Sequence, residues 1–275
     1  MNNTLSTAAG VISGQQQYFT TGDGVRIAYQ LDGNAGNPVL VFSNSIATNY
    51  HMWDAQIAAF SPYFRILRFD TRGNGASGAP AGDYSLSRMS LDVIALLDHL
   101  GIERVHFLGL SLGGFIAQYI ATHAPERINK LILAHTAAHL GPEEGFNNNI
   151  RSLRQHPDMA AFENMFIRNW FPAAMIDAED PRIAPFRKVI LAMSPTGLAG
   201  SFAAVRDGDL RKTARLIPHQ TLVIGGDDDT VTLPEHSAFL AVAIPDARLV
   251  MLPAVHLSNV ELKETFNQTV LEFLQ

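Results

Sequence analysis

Val105-His106-Phe107-Leu108-Gly109-Leu110-Ser111-Leu112-Gly113-Gly114 is the stretch on which the fold turns. Val105 to Leu108 is a short apolar run, as expected of a strand buried in a sheet. Leu112 to His123 reads as a helix, closed off by Pro125. Between them Gly109-Leu110-Ser111-Leu112-Gly113 fits Gly-x-Ser-x-Gly. Composition alone would produce such a match about 0.1 times in a chain of this length, so the pattern is weak by itself. Its place between a strand and a helix gives it weight, because that is the setting a nucleophile elbow requires. So tight a turn crowds the backbone beside the serine, and side chains at the two glycines would clash. Gly114 in addition lets the start of the helix approach the sheet.

Working outward, strands and helices alternate. Val25 to Gln30 follows the turn Gly22-Asp23-Gly24 and reads as part of a hairpin at one sheet edge. Pro38 to Phe42, Arg65 to Asp70, Lys130 to Ala134, Gln220 to Ile224 and Arg248 to Leu252 read as further strands. Ser87 to Leu100 and Gln268 to Leu274 read as helices. The alternation implies βαβ units and a mostly parallel sheet with helices on both faces. From Ala138 to Asp209 only helical patterns occur: Asn147 to Arg154, Met159 to Trp170, Pro185 to Met193 and Leu198 to Val205. Such an insertion reads as a cap over the C-terminal edge of the sheet, where open α/β sheets place their ligands. The expected division is an N-terminal extension over 1–17, a core over 18–137 and 210–275, and a cap over 138–209.

Composition narrows the function classes. The 275 residues are 47% hydrophobic and 17% charged, enough to bury a substantial core. A formal net charge of −6 argues against nucleic acid or an anionic membrane as partner. The absence of cysteine removes disulfides, thiolate nucleophiles and cysteine metal sites together. Met1 to Gln17 carries no Lys or Arg and only a short apolar patch, unlike a secretory signal. No apolar run approaches the roughly 18 residues of a membrane span. The expectation is a soluble, cytoplasmic protein acting on a small molecule, with a homodimer left open.

A serine hydroxyl needs a base, and the base needs an orienting carboxylate. With an elbow of this kind they follow in the chain order serine, acid, histidine. His256 lies just past the last strand, in Leu252-Pro253-Ala254-Val255-His256-Leu257-Ser258-Asn259, where a loop can reach over the sheet edge. Most of the other histidines read as surface or packing residues. Asp227, Asp228 and Asp229 all follow the strand ending at Ile224. The third residue after Gly226 is the usual place for the acid, which selects Asp229, with Asp228 as the alternative. Leu112 N–H, free at a helix N-terminus, suits an oxyanion. The second donor is expected from Ser43-Asn44-Ser45-Ile46, at Ser45. His51, His135 and His139 show no recognised zinc spacing, so neither a metal nor a cofactor is expected.

Taken together, these segments resemble the 3-oxoadipate enol-lactonases of the α/β-hydrolase superfamily, from about residue 18 to the C-terminus. The matching stretches are Ser43 to Ile46 with Met52-Trp53-Asp54, Asp70 to Gly73, His106 to Gly114, His123 to Arg127, and His256 to Glu261. Asn169-Trp170-Phe171 and Arg206-Asp207 in the cap match as well. The resemblance implies an α/β-hydrolase fold and a serine hydrolase of lactones or carboxylic esters, with Ser111, Asp229 and His256 as its triad. It also implies a place in aromatic catabolism. Apolar cap residues such as Phe146, Phe166, Trp170 and Phe171 would shape the acyl site. The departures bear on substrate: His135-Thr136-Ala137-Ala138-His139 stands where the family usually has Asn-Thr-Ala-Ala-Arg, Phe146 where it tends to have Trp, and Asn74 where it has His. An Arg would pair bidentately with a substrate carboxylate, which His139 cannot do. A carboxylesterase or a lactonase for a neutral ring, with haloperoxidase-like side activity, is therefore the alternative, and a non-catalytic ligand receptor a more distant one.

Overall fold

The computed structural model describes residues 14–275. In chain order the elements are β1 (Gln17–Thr20), β2 (Arg26–Asp32), β3 (Val39–Ser43), α1 (Asp54–Phe60), β4 (Arg65–Phe69), α2 (Leu86–His99), β5 (Val105–Leu110), α3 (Leu112–His123) and β6 (Ile128–Ala134). Five helices follow: α4 (Glu143–Gln155), α5 (Met159–Trp170), α6 (Ala173–Asp177), α7 (Ala184–Leu191) and α8 (Pro195–Arg206). The chain then returns through β7 (Thr221–Gly226), α9 (Pro234–Ala243), β8 (Ala247–Leu252), α10 (Ser258–Glu261) and α11 (Lys263–Leu274).

All eight strands lie in one sheet, in the order β1-β2-β4-β3-β5-β6-β7-β8. β1 and β2 form the expected antiparallel hairpin at one edge, and β2 pairs antiparallel with β4. From β4 onward every pairing is parallel. β7 is buried along its whole length, which is why its sequence shows no polar alternation. β8 closes the other edge and exposes Arg248 and Leu249. On one face α2 packs on α3, and α3 on β3, β5 and β6; on the other, α1 packs against α10 and α11. Leu40, Phe42, Phe60, Phe107 and Phe115 are among the fully buried side chains between these layers. Each such side chain contributes about 1.5–3 kcal/mol relative to exposure.

Local signals set the helix starts. Ser85 Oγ accepts from Arg88 N–H at 3.1 Å, and Asp158 Oδ1 accepts from Ala160 and Ala161 N–H at 3.1 and 3.0 Å. Four helices are not expected from periodicity: the short α6 and α10, and also α1 and α9. α1 is only two turns long, and α9 exposes Phe239 and Val242 while burying Ser237, which blurs its apolar stripe. Of the expected 1–17 extension, residues 1–13 lie outside the described residues. Gln17 opens β1, Gly14 N–H donates to Asp32 Oδ1 at 3.2 Å, and Gln16 Oε1 accepts from Tyr50 at 2.9 Å.

The helices α4–α8 stand between β6 and β7. At their root His139 pairs as an isolated bridge with Asp209, and Leu210 N–H donates to Ala138 O at 2.7 Å. α8 meets the loop after β4 backbone to backbone: a Cβ on Gly197 would stand 2.2 Å from Gly73 O. Tyr84 N–H donates to Gly200 O at 3.2 Å, and Leu257 N–H to Trp170 O at 3.3 Å. The insertion therefore covers the loops that leave the C-terminal ends of the parallel strands. Among the described residues no single helix is long and apolar enough to cross a membrane.

Candidate active site

Ser111 sits at the junction of β5 and α3 with φ 55° and ψ −116°, a conformation that side chains other than glycine rarely adopt. The surrounding contacts hold it there. Ser111 N–H donates to Ala134 O at 3.0 Å, and its own carbonyl accepts from Thr136 Oγ1 at 2.8 Å. The glycines are needed for close approach. A Cβ on Gly109 would stand 2.2 Å from Gly113 O, and one on Gly114 2.5 Å from Thr136 Cβ. Ser111 is 6% exposed and caps a twelve-residue helix whose N-terminal dipole favours an anion beside it. Leu112 N–H has no acceptor among the described residues.

The loop after β7 separates its three aspartates. Asp227 and Asp228 are exposed, whereas Asp229 is buried. His256 Nδ1–H donates to Asp229 Oδ2 at 2.8 Å. Thr232 Oγ1 donates to the same oxygen at 2.8 Å, and Val231 and Thr232 N–H donate to Oδ1 at 2.8 and 3.0 Å. Burial alone would push this carboxyl up, but the neighbouring His256 and the hydrogen bonds from His135 and His256 outweigh it. Asp229 is held well below the usual carboxylate range. The other ring nitrogen, His256 Nε2, is buried and has no hydrogen-bond partner among the described residues.

Asn44 builds the loop after β3. Its side chain donates to Phe69 O at 2.8 Å and accepts from Trp53 Nε1 at 2.9 Å, while its carbonyl accepts from Gly113 N–H at 3.0 Å. Ser45 N–H, the expected oxyanion donor, points at Met52 Sδ, 3.4 Å away. Ile46 N–H, one residue on, has no acceptor among the described residues. Ala47, with φ 57°, donates to Asn74 Oδ1 at 3.2 Å. Asn74 Nδ2 donates in turn to Arg72 O at 3.1 Å and Ser201 Oγ at 3.3 Å, so one amide ties this loop to α8. Asp70 anchors the neighbouring loop by accepting from Tyr50 and Ala76 N–H at 2.7 and 2.8 Å. Burial pushes its carboxyl up to about 6 despite those two donors.

The residues expected to shape a substrate site are spread through the insertion. Trp170 is 1% exposed, with its ring centroid 4.8 Å from Phe166 and 6.2 Å from Phe186, and its carbonyl meets the His256 loop. Phe171 packs edge-on against Phe186 at 5.3 Å. Phe146 is half-buried, 6.2 Å from Phe202. His139 lies at the root of the insertion, with Nδ1 3.3 Å from Gly208 O.

One group escaped the sequence reading. His135, which directly follows β6, is fully buried with Nδ1 3.0 Å from Asp229 Oδ2. The strand-end position that singles out His256 also marks His135, which the sequence shows only as a departure from the family's Asn and as a histidine without zinc spacing. His135, Asp229 and His256 offer three metal-ligand atoms within 4.8 Å of one another, a grouping that spacing along the chain does not show. Both Nδ1 atoms lie at hydrogen-bond distance from one carboxylate oxygen, the arrangement of two donors on one acceptor.

The chain and its fold are similar to known proteins. A family model described as the alpha/beta hydrolase fold matches residues 38–261. The chain is 36% identical over 250 residues to 3-oxoadipate enol-lactonase 2 of Acinetobacter baylyi, covering 91% of this chain and 93% of that one. The crystal structure of a hydrolase from Pseudomonas aeruginosa superposes with a TM-score of 0.93 at 50% identity, covering 95% of this chain and 98% of that one. An enol-lactonase structure from Burkholderia xenovorans gives 0.91 at 36% identity, covering 94% and 99%. With that model matched over residues 38–261 and a relative 36% identical over nine-tenths of both chains, the chain belongs to the α/β-hydrolase family.

Proposed function

We propose that this chain is a serine hydrolase that opens a lactone or cleaves a carboxylic ester, with 3-oxoadipate enol-lactone or a close relative as substrate. The carrying observation is His256, whose Nδ1–H is held by Asp229 at 2.8 Å while Nε2 is left buried and unpartnered. An imidazole fixed in that tautomer can take a proton only at Nε2. Ser111 belongs to the same strand-end cluster. Its N–H meets Ala134 O, and the next residue, His135, touches Asp229.

In this mechanism Ser111 Oγ attacks the carbonyl carbon as its proton passes to His256 Nε2. Asp229 stabilises the imidazolium without accepting the proton. Leu112 and Ile46 N–H receive the oxyanion. Ile46 takes the place first given to Ser45, because Ser45 N–H already meets Met52 Sδ. Losing one such donor costs on the order of 10²–10³ in rate. The bond from the acyl carbon to the leaving oxygen then breaks, and His256 returns its proton to that oxygen, or to the enolate carbon of an enol. Water attacks the acyl carbon, giving a proton to His256; the ester bond to Ser111 breaks and the serine regains its proton. No metal or cofactor enters these steps.

The lactone preference is supported by likeness to two proteins named as enol-lactonases, each 36% identical to this chain. A neutral lactone or ester is favoured by one observation: His139 Nδ1 is occupied by Gly208 O and cannot offer a bidentate guanidinium. Steady-state hydrolysis of 3-oxoadipate enol-lactone beside neutral lactones and short aryl esters tests both. Enol-lactone preference supports the first reading, and preference for the neutral substrates the second. Loss of about 10⁴–10⁶ in Ser111→Ala is expected; a Ser111→Ala protein as active as its parent would refute the serine mechanism.

A further inference from the structure

His135 makes the proposed acid serve two imidazoles. Its Nδ1 lies 3.0 Å from Asp229 Oδ2, the oxygen that His256 Nδ1 reaches at 2.8 Å. Its Nε2 lies 2.7 Å from Ser258 Oγ. An ionised carboxylate only accepts, so His135 Nδ1 carries the proton and Nε2 accepts from the Ser258 hydroxyl. The ring is thereby locked in one tautomer and one orientation. Burial holds it neutral, outweighing the hydrogen bond it donates to Asp229, which favours its charged form, and His256 nearby adds to the effect. The two rings meet edge to face, centroids 5.9 Å apart. His135 itself has φ 44°, a left-handed conformation that costs a non-glycine residue energy.

With Thr232 Oγ1 and two backbone N–H groups, Asp229 accepts five hydrogen bonds, three of them on Oδ2. Each donor withdraws charge from the carboxylate and weakens its pull on the imidazolium of His256. Other ionisable groups stand aside. Asp227 and Asp228 in the β7 loop are exposed. Glu261 on α10 accepts from Val255 N–H at 2.9 Å, and Arg182 from the insertion donates to Val260 O at 3.0 Å. The turn into α3 contributes Ser111, and β6 ends in His135 alone.

We propose that His135 is a positioning residue of the triad: by donating to Asp229 Oδ2 beside His256, it fixes the carboxylate and extends hydrolysis towards acid pH. The inference rests on Ser111, Asp229 and His256 acting as the triad. Its test is the pH dependence of kcat/KM on a short aryl ester for the parent, His135→Phe, His135→Gln and Ser111→Ala. Phe keeps the ring and removes the donor; the expected result is an acid limb moved up by about 0.5–1 pH unit. Gln can donate to Asp229 and accept from Ser258, and should restore most of the shift. Nitrogen-15 NMR of the parent imidazoles supplies a readout without turnover, with both His135 and His256 expected as Nδ1–H tautomers at neutral pH. Superposable profiles for the parent and His135→Phe, with Ser111→Ala inactive, would overturn the role of His135 and leave the triad standing. An Nε2–H tautomer at His135 would overturn it too, even if His135→Phe did not fold. An active Ser111→Ala would instead overturn the triad, and the inference with it.

Discussion

Gly113 and Ser43 meet backbone to backbone, so closely that a Cβ on Gly113 would stand 2.2 Å from Ser43 O. Contact with a carbonyl leaves no flexible side chain to yield. α3 is thus pressed against the end of β3, with Gly113 N–H donating to Asn44 O at 3.0 Å, and the serine turn and the loop carrying Ile46 are one unit. Gly113→Ala is expected to destabilise the fold by about 1–3 kcal/mol, an overpacking cost. It should also lower kcat more than it raises KM. Urea unfolding together with kinetics on an aryl ester checks both, and unchanged stability would disprove the contact.

Ser111 holds a strained backbone at φ 55°, which costs about 1–3 kcal/mol. Ser111→Gly should relieve it, less about 0.4–1 kcal/mol for the freer unfolded chain. The expected outcome is an inactive protein whose melting temperature rises by about 2–4 °C. A melting temperature below the parent's would show that the turn is not strained in this way.

The buried position of Asp229 and the exposure of Asp228 predict opposite outcomes for two neighbouring variants. Asp229→Asn should lower kcat by about 10⁴, because an amide can present the wrong tautomer to His256. Asp228→Asn should stay within about twofold, as a surface change away from the site. Reversal of the two results in one rate assay would assign the acid to Asp228.

Asn74→Ala removes the acceptor of Ala47 N–H and the donor to Ser201 Oγ together. The loop bearing Ile46 should then wander, and displacement of about 1 Å at such a site can cost about 10²-fold. We expect a ten- to hundredfold fall in kcat, of the order of that estimate, with little change in melting temperature. Parent-like kcat would show that Asn74 does not hold the oxyanion loop.

His135 also predicts how stability follows pH. Burial keeps it neutral in the folded protein, whereas in the unfolded chain it takes up a proton below about pH 6.5. The unfolded state then binds more protons, so this contribution is present at neutral pH and is lost as the pH falls below that value. In His135→Gln there is nothing to protonate. Melting curves at about pH 7.5 and about pH 5.5 should show a smaller acid loss for the variant than for the parent. Equal losses would mean that His135 already carries a proton in the fold.

The amino-acid sequence by itself determined the sheet, the order of its central elements and the serine turn. Those features are written in contiguous residues: apolar runs for buried strands, Gly109 and Gly113 where backbones touch, and Gly114 where the Thr136 side chain leaves no room for a Cβ. It also pointed to His256 and Asp229, because both follow a strand on the side where the loops converge. Partnerships across the sheet were settled only by the tertiary structure. His135 and Asp229 lie 94 residues apart, and no local pattern says that two imidazoles share one oxygen. Nor could spacing show that Ser45 N–H is turned towards Met52, or that Trp170 is packed at 1% exposure. Periodicity reports which face of an element is apolar. Which atoms meet there is decided by the packing of distant segments, where shifts of an ångström separate a donor from a neighbour.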